Sequence, residues 1–264
     1  MTRGVVIEKL YGTFKKEWVL YRSWFLVGIF MGLMLSWIVP YVLHRFVDLF
    51  AQENQLEFVF TMLVLFLGGF YSVLQFLASM RLDIKAKESW LHSTSSITKL
   101  IGAKLVCSLV GYVLFTILFT SIAIFNIKDE LIASAGQILL VLVIVVIILT
   151  ILQLMLFILL LFFLAFYLQL KRIIGRFSIV LTMIAFYVTT AGWVRITESQ
   201  LYRTIFLHGE VSLQSIEQYL PTGKEMTMEW MLGSIYVVEE VAITLLLLLL
   251  FLAASKWLER VVLR

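Results

Sequence analysis

An all-α, polytopic membrane protein is the fold class this sequence predicts, on three observations. Hydrophobic residues make up 62% of the 264 and charged residues only 14%. Mean hydropathy is +1.01, whereas a soluble domain of this length carries far more charge. The apolar residues also gather into six runs, at 24–43, 56–79, 101–125, 135–168, 177–194 and 234–257. Each is long enough to cross a bilayer, which takes roughly 20 residues as helix, with every backbone group bonded inside its own segment. No linker, repeat or low-complexity stretch divides the chain, so residues 1–264 are expected to form a single transmembrane domain.

The first 22 residues come before any apolar run. Ile7, Leu10, Tyr11, Phe14, Trp18 and Tyr21 recur mostly three and four apart, which puts them on one helical face. Glu8, Lys9, Thr13, Lys15, Lys16 and Glu17 take the remainder. An aromatic face opposite a basic one predicts an amphipathic helix lying in the membrane interface over 1–22, rather than a solvated extension of the first span. No secretory signal peptide is expected, because the first apolar run starts late and is too long for a signal core.

In the first span Gly28 and Gly32 make a GxxxG, a close-packing spacing and a candidate contact between two copies of the chain. Pro40 should bend the outer end of that span. Gly68 and Gly69 should permit close packing or a bend in the second. The fourth run would reach about 50 Å against a hydrocarbon core of about 30 Å, so it must tilt or emerge before Lys171.

Basic residues fall unevenly across the spans. Sixteen of the 21 lie in the N-terminal stretch, the second-to-third and fourth-to-fifth connections and the tail. Arg45, Lys128, Arg195, Arg203 and Lys224 fall on the other side. Such a bias places the basic side and both termini in the cytoplasm of a plasma membrane. The net charge of +4 then reflects insertion and gives no reason to expect nucleic acid as a partner. Membrane lipid is the expected surrounding.

The cytoplasmic connection over 81–99 and into the third span holds a compact polar helix candidate. Ser93, Thr94, Ser95 and Ser96 break it midway, since hydroxyls compete for backbone groups. Lys85, Lys87, Glu88, Trp90 and His92 give a mixed-charge surface with an aromatic, which suits docking to another protein. A solvated loop whose lysines enforce topology is the other reading of the same composition.

The outer connection, 195–233, turns acidic, with Glu198, Glu210, Glu217, Glu225 and Glu229. Short helices are predicted around 198–207 and 212–220, ended by the turn signal Pro221-Thr222-Gly223. Ile205, Phe206, Leu207, Ile216, Tyr219 and Leu220 would be costly to leave in water. Glu239 and Glu240 stand at the start of the last run, either as a polar site inside the membrane or outer gate, or at headgroup level if the span begins at Val241. Intramembrane proteases of the CAAX type also carry a double glutamate, but they need an arginine where Thr244 stands. His44, His92 and His208 are too scattered to hold a metal, and no catalytic group is expected. The lone cysteine, Cys107, excludes an intramolecular disulfide.

In layout, and in the run Lys85, Lys87, Glu88, Leu91, Ser95, Gly102 and Lys104, the chain resembles the short six-span permeases of ABC exporters, the ABC type 2 membrane family. It departs at Ser89, where that family has glycine, and at Thr94, where it has proline. The resemblance implies a coupling helix over 83–96, with Asp83, Lys85, Lys87, Glu88, Trp90, Leu91, His92 and Ser95 as its ATPase-coupling residues. It also implies two nucleotide-binding ATPase subunits and a second permease copy or related permease. ATP and Mg would be bound in the partner ATPase, with no cofactor in this chain. Gly102-Ala103-Lys104 lacks the first glycine and the hydroxyl of a phosphate-binding loop. Phe66, Phe70, Phe76, Phe162, Phe163 and Phe166 suggest a path for an amphipathic peptide or lipid-like cargo. An ATP-independent secondary transporter, or a membrane scaffold, is the alternative. Against coupling to protons or sodium, the spans hold almost no ionisable residues apart from Glu239 and Glu240.

Overall fold

A computed structural model describes residues 3–47, 53–85, 97–128, 131–217, 219–223 and 233–263. Helices dominate: α1 (Arg3–Leu33), α2 (Val39–Val47), α3 (Glu53–Lys85), α4 (Ile97–Ile127), α5 (Ala135–Ile174), α6 (Ser178–Glu198), the short α7 (Gln200–Phe206) and α8 (Gln214–Glu217), and α9 (Val237–Leu263). Four strands of two or three residues, β1 (Leu131–Ile132), β2 (Glu210–Ser212), β3 (Thr222–Gly223) and β4 (Ser234–Tyr236), pair antiparallel as β1 with β3 and β2 with β4. The fold is all-α, and among the described residues five helical stretches are long and apolar enough to cross a membrane. The contacts divide the chain into two compact units. The first comprises Met1–Lys85, Lys99–Leu154 and Tyr219–Trp230, and the second Ala86–Thr98, Met155–Gln218 and Met231–Arg264.

In the first unit, α1 does not break where the interfacial segment was expected to give way to a span. Residues 13–27 contain neither Gly nor Pro, so nothing interrupts the hydrogen-bond ladder, and α1 runs unbroken from Arg3 to Leu33. The aromatic stripe carries straight through the expected junction, with Trp18, Tyr21 and Phe25 rings 6.0–6.2 Å apart. The interruption comes later. Met34–Ile38 widens to a π turn, with Val39 N–H donating to Met34 O. Pro40 follows at once and is fully buried. A proline has no N–H and its ring crowds the carbonyl four residues back, and a wide turn accommodates both.

Helices α1 and α3 run antiparallel, as do α3 and α4, and they interlock through one repeated device. A ring from one helix fills the space where a glycine of its neighbour has no side chain: Tyr71 at Gly28, Phe119 at Gly32, Phe115 at Gly68 and Tyr21 at Gly111. A Cβ at Gly28 would lie 2.5 Å from Tyr71 Cε1. The close approach that Gly28 and Gly32 permit is therefore made inside the chain. In lipid there is no hydrophobic force to drive helices together, and such fitting of surfaces takes its place. Val64, Leu65, Phe115 and Phe119 form the resulting core, with Phe25, Ile29 and Leu33 packed against it. Hydroxyls within helices bond the carbonyl one turn back, as Thr61 to Glu57 and Thr116 to Tyr112, so polar side chains cost little in an apolar setting.

Helix α5 opens on a reciprocal cap, in which Ser134 N–H donates to Gln137 Oε1 at 2.8 Å and Gln137 N–H to Ser134 Oγ at 3.4 Å. Its 40 residues extend about 60 Å, and the helix continues through Lys171. In the second unit Gly175, at φ +64°, ends this helix in the left-handed conformation that glycine adopts without strain. The chain then turns back on itself. Phe163 and Phe186 rings lie 5.1 Å apart, which brings residues equally distant from Gly175 together and makes α5 and α6 an antiparallel pair. The last part of α5 runs parallel to α9: Phe162 and Phe166 rings flank Trp257, Trp257 Nε1 donates to Gln169, and Arg172 donates to Val261 O at 3.2 Å.

Candidate functional site

Charge is scarce inside this protein, and where it occurs it is concentrated. Among the described residues the buried charged side chains are Glu17 and Lys104. They meet in the first unit, where Lys104 Nζ lies 2.6 Å from Glu17 Oε2, 3.1 Å from Asp83 Oδ2 and 2.7 Å from Ser79 Oγ. Each ammonium hydrogen thus has an acceptor. Helix α1 supplies Glu17, the last turns of α3 supply Ser79 and Asp83, and the second turn of α4 supplies Lys104. One lysine ties three helices together. Removing these charges from water is expensive, and the ammonium is compensated there by two carboxylates and a hydroxyl.

The cluster forms the floor of a cavity of about 410 Å³. Tyr21, Tyr71, Gln75, Ser108, Cys107 and Ala78 also line the wall, which is mostly apolar. Tyr71 spans it, donating from its hydroxyl to Trp24 O at 2.6 Å. Gln75 is buried, with 8% of its surface exposed, and its Nε2 has no hydrogen-bond partner. At the mouth stand Trp24, Leu74 and Leu82, each more than 60% exposed.

The expected coupling residues divide between described and undescribed parts of the chain. Asp83 belongs to the Lys104 cluster, and Lys85 is the last residue of α3. Lys87, Glu88, Trp90, Leu91, His92 and Ser95 lie outside the described residues. Sequence reasoning missed Glu17, which it assigned to the polar face of an interfacial helix. The signal was present. Glu17 sits three residues after Phe14 and four before Tyr21, on their stripe, and Lys104 lies near the start of the third apolar run.

Glu239 and Glu240 have a different setting, in the second unit. The last helix begins at Val237, because Ser234–Tyr236 pairs with Glu210–Ser212 as β4 against β2, and both carboxylates stand in its first turn. The helix dipole favours negative charge there. Glu240 is exposed, and half-buried Glu239 accepts a 2.7 Å hydrogen bond from Tyr202 Oη. Ser199 caps α7 by accepting from Tyr202 N–H at 3.2 Å, which holds Tyr202 in place. Burial, then the bond to Glu239 and the charges of both glutamates, push the Tyr202 phenol up to about 12. A raised phenol stabilises fully below the unfolded value of about 10 and loses that contribution as pH rises through the folded one. The bond is thus intact at every physiological pH. Tyr202→Phe should lower stability by about 1.5 kcal/mol, the smaller end for a bond to a charged group. Faster amide exchange over 200–206, with α9 unchanged, is the readout. The remaining outer residues divide: Leu220 is buried, Phe206, Leu207 and Ile216 are half-buried, and Ile205 and Tyr219 are exposed. Pro221-Thr222-Gly223 does not form a free turn, since Thr222–Gly223 pairs with Leu131–Ile132.

Among the described residues no three His, Cys, Asp or Glu side chains come together as metal ligands. Fold and site together define a helical chain with several helices able to span a membrane, as a multi-pass membrane protein requires. No protein-family profile, no curated protein and no solved structure matches it.

Proposed function

We propose that the chain is the membrane-spanning permease subunit of an ATP-driven ABC exporter in a bacterial-type plasma membrane, with both termini cytoplasmic. The observation that carries this reading is the Lys104 cluster. Asp83 and Lys104 bracket the connection that would serve as coupling helix, and Glu17 adds the N-terminal helix to the same node. A push on that connection would move α1, α3 and α4 together, as a rigid-body conversion between two packings requires. Counting α5 and α6 as separate crossings on either side of Gly175 gives six, with basic ends alternating as the positive-inside bias demands. Two nucleotide-binding subunits would supply the hydrolysis, and a second permease would complete the path for an amphipathic or lipid-like cargo.

Coexpression with the nucleotide-binding subunits encoded nearest to the chain tests this. The chain is expected to copurify with them and to stimulate their ATP hydrolysis. Glu88→Arg or Trp90→Ala should abolish the stimulation, at least tenfold, while leaving insertion unchanged. Full stimulation in both variants would overturn the coupling assignment. A second reading, an ATP-independent transporter, draws support from the same cluster. The argument that the spans lack ionisable groups overlooked Glu17 and Lys104, which lie within apolar helices. Transport by the purified chain in vesicles without ATP would favour that reading.

A further inference from the structure

The cavity floored by Lys104 has a charge imbalance that selects a ligand. One ammonium faces two carboxylates, Glu17 and Asp83, which leaves a net negative charge at the buried end. Among the described side chains, the other basic ones of these turns, Lys15, Lys16, Arg22, Arg81 and Lys99, are exposed. Asp83 retains 16% side-chain exposure against 5% for Glu17, so it is the carboxylate with room for a second cation. Lys104 has already spent its donors, while Gln75 Nε2 still lacks an acceptor. The other end is apolar and open, through the exposed Trp24, Leu74 and Leu82. Those residues belong to helical faces able to lie against lipid. A volume of about 410 Å³ falls within the usual range of small-molecule sites, about 300–1,000 Å³.

We propose that this cavity binds a single-chain amphiphile with a cationic, primary-amine head. The head pairs with Asp83 and the free lone pairs of Glu17, at low dielectric where such a pair is strong. Gln75 donates to an acceptor near the head when the ligand carries one. Trp24 and Tyr71 lie beside the head and chain, where aromatic faces favour a cation, and the tail leaves between Leu74 and Leu82 into the bilayer. An anionic amphiphile of the same length is rejected, because its head would meet two carboxylates and a lysine already paired. The inference goes beyond the exporter reading and does not depend on it, since binding requires no ATPase.

The test is calorimetric titration of dodecylamine and of dodecanoate into the full chain in phosphatidylcholine nanodiscs, with empty nanodiscs subtracted. Saturable binding of dodecylamine at one site and none of dodecanoate is expected. Asp83→Asn should weaken dodecylamine at least tenfold while Glu17 still pairs Lys104. Ala78→Phe, which fills the cavity without touching a charge, should abolish the signal. A melting temperature for each variant within a few degrees of the parent establishes that folding is intact. Equal binding of the two amphiphiles, no saturable binding, or binding unaltered in Asp83→Asn and Ala78→Phe would overturn the proposal.

Discussion

Lys104→Met is expected to be the most damaging single substitution at the cluster, lowering stability by about 3–5 kcal/mol, as breaking a buried ion pair does. It leaves Glu17, with 5% exposure, as an uncompensated carboxylate among apolar helices. Asp83 is also left unpaired, but its 16% exposure lets it hydrate. Glu17→Gln should cost much less, because Lys104 keeps Asp83 and Ser79 and the amide oxygen still accepts a hydrogen bond. The double variant Glu17→Gln/Lys104→Met should be more stable than Lys104→Met alone, since no buried charge remains. Thermal unfolding of the purified variants in one detergent, followed by size exclusion, measures the ordering. An additive double variant, or equal losses for the two single ones, would remove the cluster as the reason α1, α3 and α4 hold together.

Phe119→Ala should cost about 3–5 kcal/mol, the usual range for truncating a buried aromatic ring. Phe119 is fully buried, lies with its ring 4.4 Å from that of Phe115, and packs in the space above Gly32. Gly32→Leu alone should also destabilise, by about 1–3 kcal/mol, because a side chain there meets the Phe119 ring. Combined, the two changes should partly cancel, with the new leucine occupying the volume the ring gave up. Residues in contact are non-additive in this way, and a double-mutant cycle on unfolding in mixed micelles reads the coupling directly. Strict additivity would show that Gly32 and Phe119 do not share one packing site. A cycle of strong coupling would also show that Gly32 acts within the chain, at a position whose spacing alone suggested a contact between copies.

These two cases mark what was legible and what was not. The membrane class, the helices and most of their centres follow from hydropathy, because an apolar run of 20 residues in lipid has no stable alternative to a helix. The reversal at Gly175 was legible too, as a break between two long apolar runs with three basic residues beside it. Partners were not legible. Glu17 and Lys104 are 87 positions apart, and nothing local says that a carboxylate on α1 faces a lysine on α4. Tyr21 makes the same point, since the ring that an amphipathic pattern puts on an apolar face is buried against Gly111 of α4. Glu239 shows the converse. Its place in a first helical turn depends on where the helix starts, and that is set by β4 pairing with β2, a contact with residues more than 20 positions earlier.

What this sequence determined by itself is therefore its solvent and its elements: a chain this apolar must satisfy its backbone within helices. Only the tertiary structure decided what those helices enclose. It took the packing of α1, α3 and α4 through Gly28, Gly32, Gly68 and Gly111 to bring one lysine and two carboxylates to the floor of a cavity. The physical reason is that helix periodicity is written into neighbouring residues, whereas the pairing of buried charges depends on which helical faces fit closely enough to exclude lipid.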